Sequence, residues 1–229
     1  MSNALDLYSR VEDLLGVNEV TPTLYKYYFS TLENLEFDSL LDIGCGRGAF
    51  LEQLQKKFPL SSFLGTDLSP LMVETTKKRG IDAKCIDICK LDKKFKVITA
   101  VFDMVNYLDD SELINFMKCV EDRLKSGGYF ICDINSLYAF EEIAVGSFIK
   151  DNGDRFVTID SFFEDGEYYS EFTLFEKVNN CFVKSKESIT QYYHTVKRLQ
   201  KVTNLKLLEK KSISVYGDKV EKFYLVFKK

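Results

Sequence analysis

Asp42-Ile43-Gly44-Cys45-Gly46-Arg47-Gly48 decides how this chain of 229 residues is read. The apolar run Ser39–Ile43 ends in this glycine-rich turn and reads as a short buried strand. Apolar residues then recur at helical spacing from Ala49 to Phe58. The heptapeptide therefore joins a strand to a helix. Glycine permits a tight turn and lets backbone N–H groups approach a ligand closely. The N-terminus of the following helix favours negative charge, such as a ligand carboxylate or phosphate. Gly44-x-Gly46-x-x-Ala49 also fits the dinucleotide fingerprint, so the loop alone leaves a nicotinamide cofactor open.

Strands and helices alternate outward from the loop. Ser62–Thr66 reads as a second strand closed by Asp67. Ser69-Pro70 caps a helix that runs to about Arg79 and stops at Gly80. Asp82–Ile86 is a third strand and Phe95–Phe102 a fourth. Ser111 with Glu112 opens a helix reaching about Leu124 and ended by Gly127-Gly128, before a fifth strand at Tyr129–Ile134. Such alternation predicts parallel βαβ units in an open, doubly wound sheet, with ligands beyond the carboxyl ends of the strands.

The flanks differ. Leu5, Tyr8, Val11, Leu14 and Leu15 recur at helical spacing, and Thr21-Pro22 reads as the start of a second helix with Pro at its first position. After Asn135 a short helix over Tyr138–Ala144 precedes three antiparallel strands, turning at Asp165-Gly166 and Asn179-Asn180. Thr195 caps a helix to about Val202, and Leu205–Val215 with Val220–Phe227 form a closing hairpin. The predicted organisation is a helical cap (1–36), a cofactor-binding core (37–136), a helix and antiparallel insertion forming a substrate lid (137–194), and a final segment completing the core (195–229).

Three features weigh on the ligand. Asp42 stands directly before the first glycine, where a carboxylate suits an ammonium group, directly or through water, better than a pyrophosphate. Asp67 ends the next strand, where a carboxylate can accept both ribose hydroxyls of either cofactor. The closing hairpin puts a reversed strand into the sheet, which an ordinary dinucleotide half lacks.

Asp42-x-Gly44-x-Gly46-x-Gly48, Asp67, Asp87-Ile88 and Leu124-Lys125-Ser126-Gly127-Gly128 together resemble the ordered motifs of the class I S-adenosylmethionine-dependent methyltransferases. The resemblance covers roughly Phe37 to Ile134 plus the hairpin. It implies an α/β, Rossmann-like, doubly wound sheet of seven strands with the last antiparallel. It implies S-adenosylmethionine as cofactor, with Asp42 and the loop residues Gly44, Cys45, Gly46 and Gly48 at its methionine moiety. Asp67 would hold the ribose, Leu68 pack on the adenine, and Asp87 and Ile88 meet its amino group and ring. Phe102 and Asp103 would lie near the methionine end and the acceptor. The N-P-P-Y motif of amino-methylating members is absent, with Phe102-Asp103-Met104-Val105 in its place, which argues against DNA or protein-glutamine methylation.

Acceptor-side candidates lie where strands end and the insertion begins: Asp103, Asn106 and Tyr107, then Asn135 and Tyr138, and His194, the only histidine. As a base near neutral pH, His194 competes with a structural role. Tyr8, Tyr25, Tyr28, Tyr192 and Tyr193 serve either cover or packing.

A net charge of −4 lacks the basic footprint of a nucleic-acid binder. Six cysteines without a C-x-x-C pair and one histidine predict no metal site. With no signal peptide and no membrane-length apolar run, the thiols read as reduced and the protein as cytoplasmic, a monomer or homodimer acting on a small molecule. The other readings are a non-catalytic S-adenosylmethionine-binding module, a nicotinamide-dependent oxidoreductase, or another group transfer from the same cofactor.

Overall fold

The computed structural model describes residues 2–59, 61–215 and 217–229. Seven strands form the central sheet: β1 (Ser39–Ile43), β2 (Ser62–Asp67), β3 (Ala83–Cys85), β4 (Phe95–Ala100), β5 (Leu124–Asn135), β10 (Lys206–Ile213) and β11 (Lys222–Lys228). Their order is β10-β11-β5-β4-β1-β2-β3. β1 to β5 are joined in parallel, and β11 runs antiparallel to both β5 and β10. The order reverses between β1 and β4. The loops leaving these two strands therefore flank the switch-point crevice, where open α/β sheets bind ligands.

β1 is buried at every position, as a strand covered on both faces must be. On one face α2 (Val17–Leu32) and α3 (Ala49–Lys57) bring Leu24, Tyr28, Leu32, Phe50, Leu51 and Leu54 against Leu40 and Val97. On the other, α5 (Asp110–Arg123) and α6 (Val196–Lys201) bring Leu113, Phe116, Met117, Val120 and Leu199 against Leu41, Ile98 and Phe130. Each fully buried Leu or Phe stabilises by about 1.5–3 kcal/mol, so the two layers fix the strand ends firmly. α4 (Pro70–Lys78) starts as its sequence predicts, with Met72 N–H donating to Ser69 Oγ at 3.1 Å.

Four local expectations are corrected. α2 begins at Val17, after Gly16 at φ +72°, so Pro22 lies inside the helix. The helix tolerates the lost N–H because Leu24, Tyr25, Tyr28 and Leu32 are buried against the sheet. The cap of α5 is Asp109 rather than Ser111: Glu112 N–H donates to Asp109 Oδ1 at 2.8 Å, and Asp109 N–H donates to Glu112 Oε2 at 2.9 Å. The insertion has four strands: β6 (Gly146–Asp151), β7 (Arg155–Glu164), β8 (Glu167–Val178) and β9 (Cys181–Tyr192). All of β6 is exposed, so it shows no alternation of apolar and polar positions. Finally, Cys89 and Cys119 form a disulfide with Cα atoms 5.0 Å apart, so the thiols are not all reduced. The fold packs the turn after Asp87 on α5, a proximity that a 30-residue separation hides.

The segment before α2, comprising α1 (Ser2–Ser9) and a 3-10 turn at Glu12–Leu14, spans core and insertion. Ala4, Leu7 and Val11 pack on Val157, Ile159, Phe172, Leu174 and Ile189 of the inserted sheet. Arg155 donates to Arg10 O at 2.7 Å and makes a two-pronged pair with Asp13. Toward the core, Ser69 Oγ donates to Asp6, and Arg47 donates to Ser9 O and pairs with Glu12. Among the described residues no helix is long and apolar enough to cross a membrane.

Candidate functional site

The loop after β1 adopts the left-handed conformation three times, at Gly44 (φ +68°), Gly46 (+52°) and Gly48 (+77°). Only glycine takes such angles without steric cost. Space demands it as well. A Cβ on Gly48 would lie 2.7 Å from Thr76 Cγ2, and one on Gly44 would lie 2.7 Å from Met104 Cγ. The loop is anchored from behind, where Gly46 N–H donates to Asp67 Oδ2 at 2.9 Å and Thr76 Oγ1 donates to Gly46 O at 2.7 Å. Asp67 also accepts Ser69 N–H at 2.8 Å on its other oxygen. It thus ties the ends of β1 and β2 together while each oxygen keeps a further lone pair.

Asp42 is buried, and Thr99 Oγ1 donates to its Oδ1 at 2.7 Å. Burial pushes its carboxyl up to about 7, and the other charge acting on it is Asp67, a second carboxylate. Burial likewise raises Asp67, against the lowering effect of its backbone donors. Two carboxylates thus share a water-poor edge beside the glycine loop, an arrangement complementary to a cationic ligand. Cys45 is buried beneath the loop with its thiol pushed up by desolvation, which makes it packing rather than a nucleophile.

Along the same edge, Leu68 is 46% exposed and free to cover a flat ring. Asp87 is exposed and caps the 3-10 turn Ile88–Lys90 by accepting Cys89 N–H at 2.7 Å. Ile88 is buried with Leu64, Leu91 and Phe95 in the core.

The turn after β4 is the second wall. Phe102 (φ +59°) and Asp103 (φ +49°) are consecutive left-handed residues that are not glycine. Their N–H groups donate to Asp133 Oδ1 at 2.8 Å and Oδ2 at 2.9 Å. Tyr28 Oη donates to Asp133 Oδ1 at 2.7 Å, and Lys222 Nζ donates to its Oδ2 at 3.0 Å. Lys222 also pairs with Asp103, whose Oδ2 accepts Gln191 Nε2 from β9 at 2.8 Å. Two carboxylates hold the Lys222 ammonium charged, well above its usual range, against the opposing effect of burial. The Phe102 ring sits 5.9 Å from that of Tyr25. Tyr107, further along the turn, is desolvated and feels Tyr8, Asp103, Tyr168 and Asp67, all of which push its hydroxyl up.

The structure thus brings together Asp42, Gly44, Cys45, Gly46, Gly48, Asp67, Leu68, Phe102 and Asp103. Other candidates stand apart or are committed elsewhere. Asn106 is fully buried; its amide donates to Tyr192 O at 2.8 Å and accepts Asn135 N–H at 2.9 Å, so both ends serve the backbone. His194 is buried, its Nε2 lies 2.8 Å from Leu108 O, and desolvation lowers its affinity for a proton. Its ring therefore stays neutral at pH 7 and donates to that carbonyl. Tyr138 is half-buried beneath Lys219, whose Nζ is 4.6 Å from the ring centroid. Asp133, Lys222 and Gln191 are not evident as site residues from the sequence. The available signal was Asp133, a single carboxylate within the apolar run Tyr129–Ile134 of a strand that must be buried on both faces.

Comparison with known proteins agrees with this geometry. Residues 40–128 match the family model of a methyltransferase domain. A crystal structure of a S-adenosylmethionine-dependent methyltransferase from Clostridium acetobutylicum superposes with a TM-score of 0.75 at 26% identity, covering 89% of each chain. A sugar N-methyltransferase from Streptoalloteichus shares the fold, with a TM-score of 0.76 at 17% identity over 99% of this chain and 93% of that one. A dTDP-3-amino-3,4,6-trideoxy-alpha-D-glucopyranose N,N-dimethyltransferase of Streptomyces venezuelae is 30% identical over 103 residues, 43% of each chain. A malonyl-[acyl-carrier protein] O-methyltransferase of Ilyobacter polytropus is 31% identical over 93 residues, 37% of this chain and 34% of its own. The chain thus matches less than half the length of these curated relatives. Residues 40–128 thus match a methyltransferase domain, and the sheet order and glycine loop give the chain the fold of the S-adenosylmethionine-dependent methyltransferase it superposes on.

Proposed function

We propose that this chain transfers a methyl group from S-adenosylmethionine to a small-molecule acceptor held between the strand ends and the inserted sheet. The observation that carries this reading is Asp42, a buried carboxylate at the mouth of a glycine loop, on which no cation acts among the described residues. An ammonium-bearing ligand supplies what that carboxylate lacks. S-adenosylmethionine supplies a methyl group already activated by its sulfonium.

In this reading Asp42 faces the ammonium group, and the loop residues Gly44, Cys45, Gly46 and Gly48 line the methionine moiety. Asp67 uses its remaining lone pairs for the ribose hydroxyls. Leu68 covers the adenine, Asp87 rims it, and Ile88 supports that rim from the core. Phe102 and Tyr25 close the methionine end. The chain's task is then to orient an acceptor and exclude water, and orientation can be worth about 7–11 kcal/mol. α1 and the inserted sheet exclude water by bridging the edge. Asn106 and His194 act as braces, because their polar groups already have partners. Asp103 is left as the carboxylate nearest the acceptor, held by Lys222 and Gln191. Tyr138 lies at the rim of the insertion.

Incubation with tritiated-methyl donor and fractionated metabolite pools tests the transfer. Label in a low-molecular-weight product is the expected result. Tight donor binding with no acceptor labelled in any pool would instead support a non-catalytic binding module.

A further inference from the structure

We propose that Asp133 and Lys222 are positioning residues that hold the Phe102–Asp103 turn against the glycine loop and so shape the methionine end of the donor site, an inference that rests on the proposed donor site. Two successive non-glycine residues at positive φ are strained, and such strain persists only when the surroundings over-determine it. Asp133 supplies that constraint. It is fully buried at the end of β5, and its two oxygens take four donors: the Phe102 and Asp103 N–H groups, Tyr28 and Lys222. Lys222, on the reversed strand β11, neutralises one of two carboxylates that would otherwise repel across the turn.

The turn controls the glycine loop through its next residue, Met104. That side chain packs so closely on Gly44 that a Cβ there would lie 2.7 Å from its Cγ. A shift of the turn therefore moves the wall of the glycine loop next to Asp42, and leaves the Asp67–Leu68 end untouched. The inserted sheet joins the same device, since Gln191 donates to Asp103 and Tyr192 O accepts from Asn106. The hydrogen bonds and ion pairs of Asp133 and Lys222 run to the turn and to Tyr28, so the two residues act on the loop through the turn.

The test compares Lys222→Met, which keeps the length of the stem, and Lys222→Arg, which keeps the charge. Amide hydrogen exchange reports the turn directly. Phe102 and Asp103 N–H groups in Lys222→Met should exchange about tenfold faster relative to Leu41 and Ile98 in the same sheet, and Lys222→Arg should recover most of the protection. Calorimetry with S-adenosylhomocysteine should show about tenfold weaker binding in Lys222→Met, while adenosine, which has no amino-acid tail, should bind within about twofold of the parent. Asp133→Asn, similar in size with weaker acceptance, carries both measurements if Lys222→Met does not fold. Unchanged exchange at the turn, or equal losses for the two ligands, would overturn the proposal. If the parent chain binds neither ligand, the donor reading fails, and the exchange data still decide whether Lys222 positions the turn.

Discussion

Two loops meet at the switch point, and they reach the same backbone conformation by opposite means. The loop after β1 reaches positive φ through Gly44, Gly46 and Gly48, so its shape is written in residue type. The turn after β4 reaches it with Phe102 and Asp103, and the constraint comes from Asp133, about thirty residues further along the chain. The first loop is a local property of the sequence. The second exists only once β4, β5 and β11 lie side by side. A carboxylate brace of that kind also lets the turn carry side chains, Phe102 against Tyr25 and Asp103 against Lys222 and Gln191, which glycines could not offer.

The largest expected effect separates these two strategies. Asp133→Ala leaves the largely buried Lys222 short of a partner and the Phe102 and Asp103 N–H groups unpaired, and should lower the unfolding free energy by about 3–5 kcal/mol in urea titration. A loss within about 0.5 kcal/mol, the range of an ordinary surface change, would mean that the turn holds itself and the contrast fails. Gly48→Ala should cost about 2–4 kcal/mol, because the new methyl meets Thr76 at a left-handed position. Stability equal to the parent would show that residue type does not dictate the loop. Asp67→Ala removes the anchor shared by both strand ends and should weaken S-adenosylhomocysteine binding by about 1–3 kcal/mol in calorimetry. An unchanged affinity would remove Asp67 from the site.

The contrast also explains how far the sequence alone could reach. The parallel core was legible because β1, β2 and β4 are apolar runs closed by glycine or aspartate, and the reversed strand because Gly217-Asp218 separates two apolar runs. Asp42 and Asp67 were legible as candidates because each sits at a fixed offset from a strand end. Pro22 misled because tertiary burial of α2 outweighs a lost hydrogen bond. β6 was invisible because none of its residues is buried. Asn106 and His194 carry the right chemical groups, yet only three-dimensional contacts show that those groups are spent on Tyr192, Asn135 and Leu108. Lys222 reads as one more charged residue near the end of the chain until β11 slots beside β5 and places it between two aspartates.

Asp42 carries a pH signature. Its carboxyl is raised in the folded chain from 3.8 to about 7. The folded state therefore prefers the protonated form, and this contribution to stability, full below the unfolded value, is lost as pH rises through 7. Asp42→Asn should accordingly be more stable relative to the parent at pH 8 than at pH 5, by an amount on the order of a few kcal/mol, read from urea midpoints at the two pH values. A difference that does not change with pH would place the titration elsewhere.

The most direct test of the donor site is calorimetric titration with S-adenosylhomocysteine between pH 5 and pH 8, on the parent chain and on Asp42→Asn. An ammonium group needs the ionised carboxylate, so affinity should rise with pH by up to about tenfold per unit and level off above about 7, while Asp42→Asn binds weakly and without that slope. No heat at any pH, or an Asn variant that binds as the parent does, would contradict the placement of the methyl donor at this edge of the sheet.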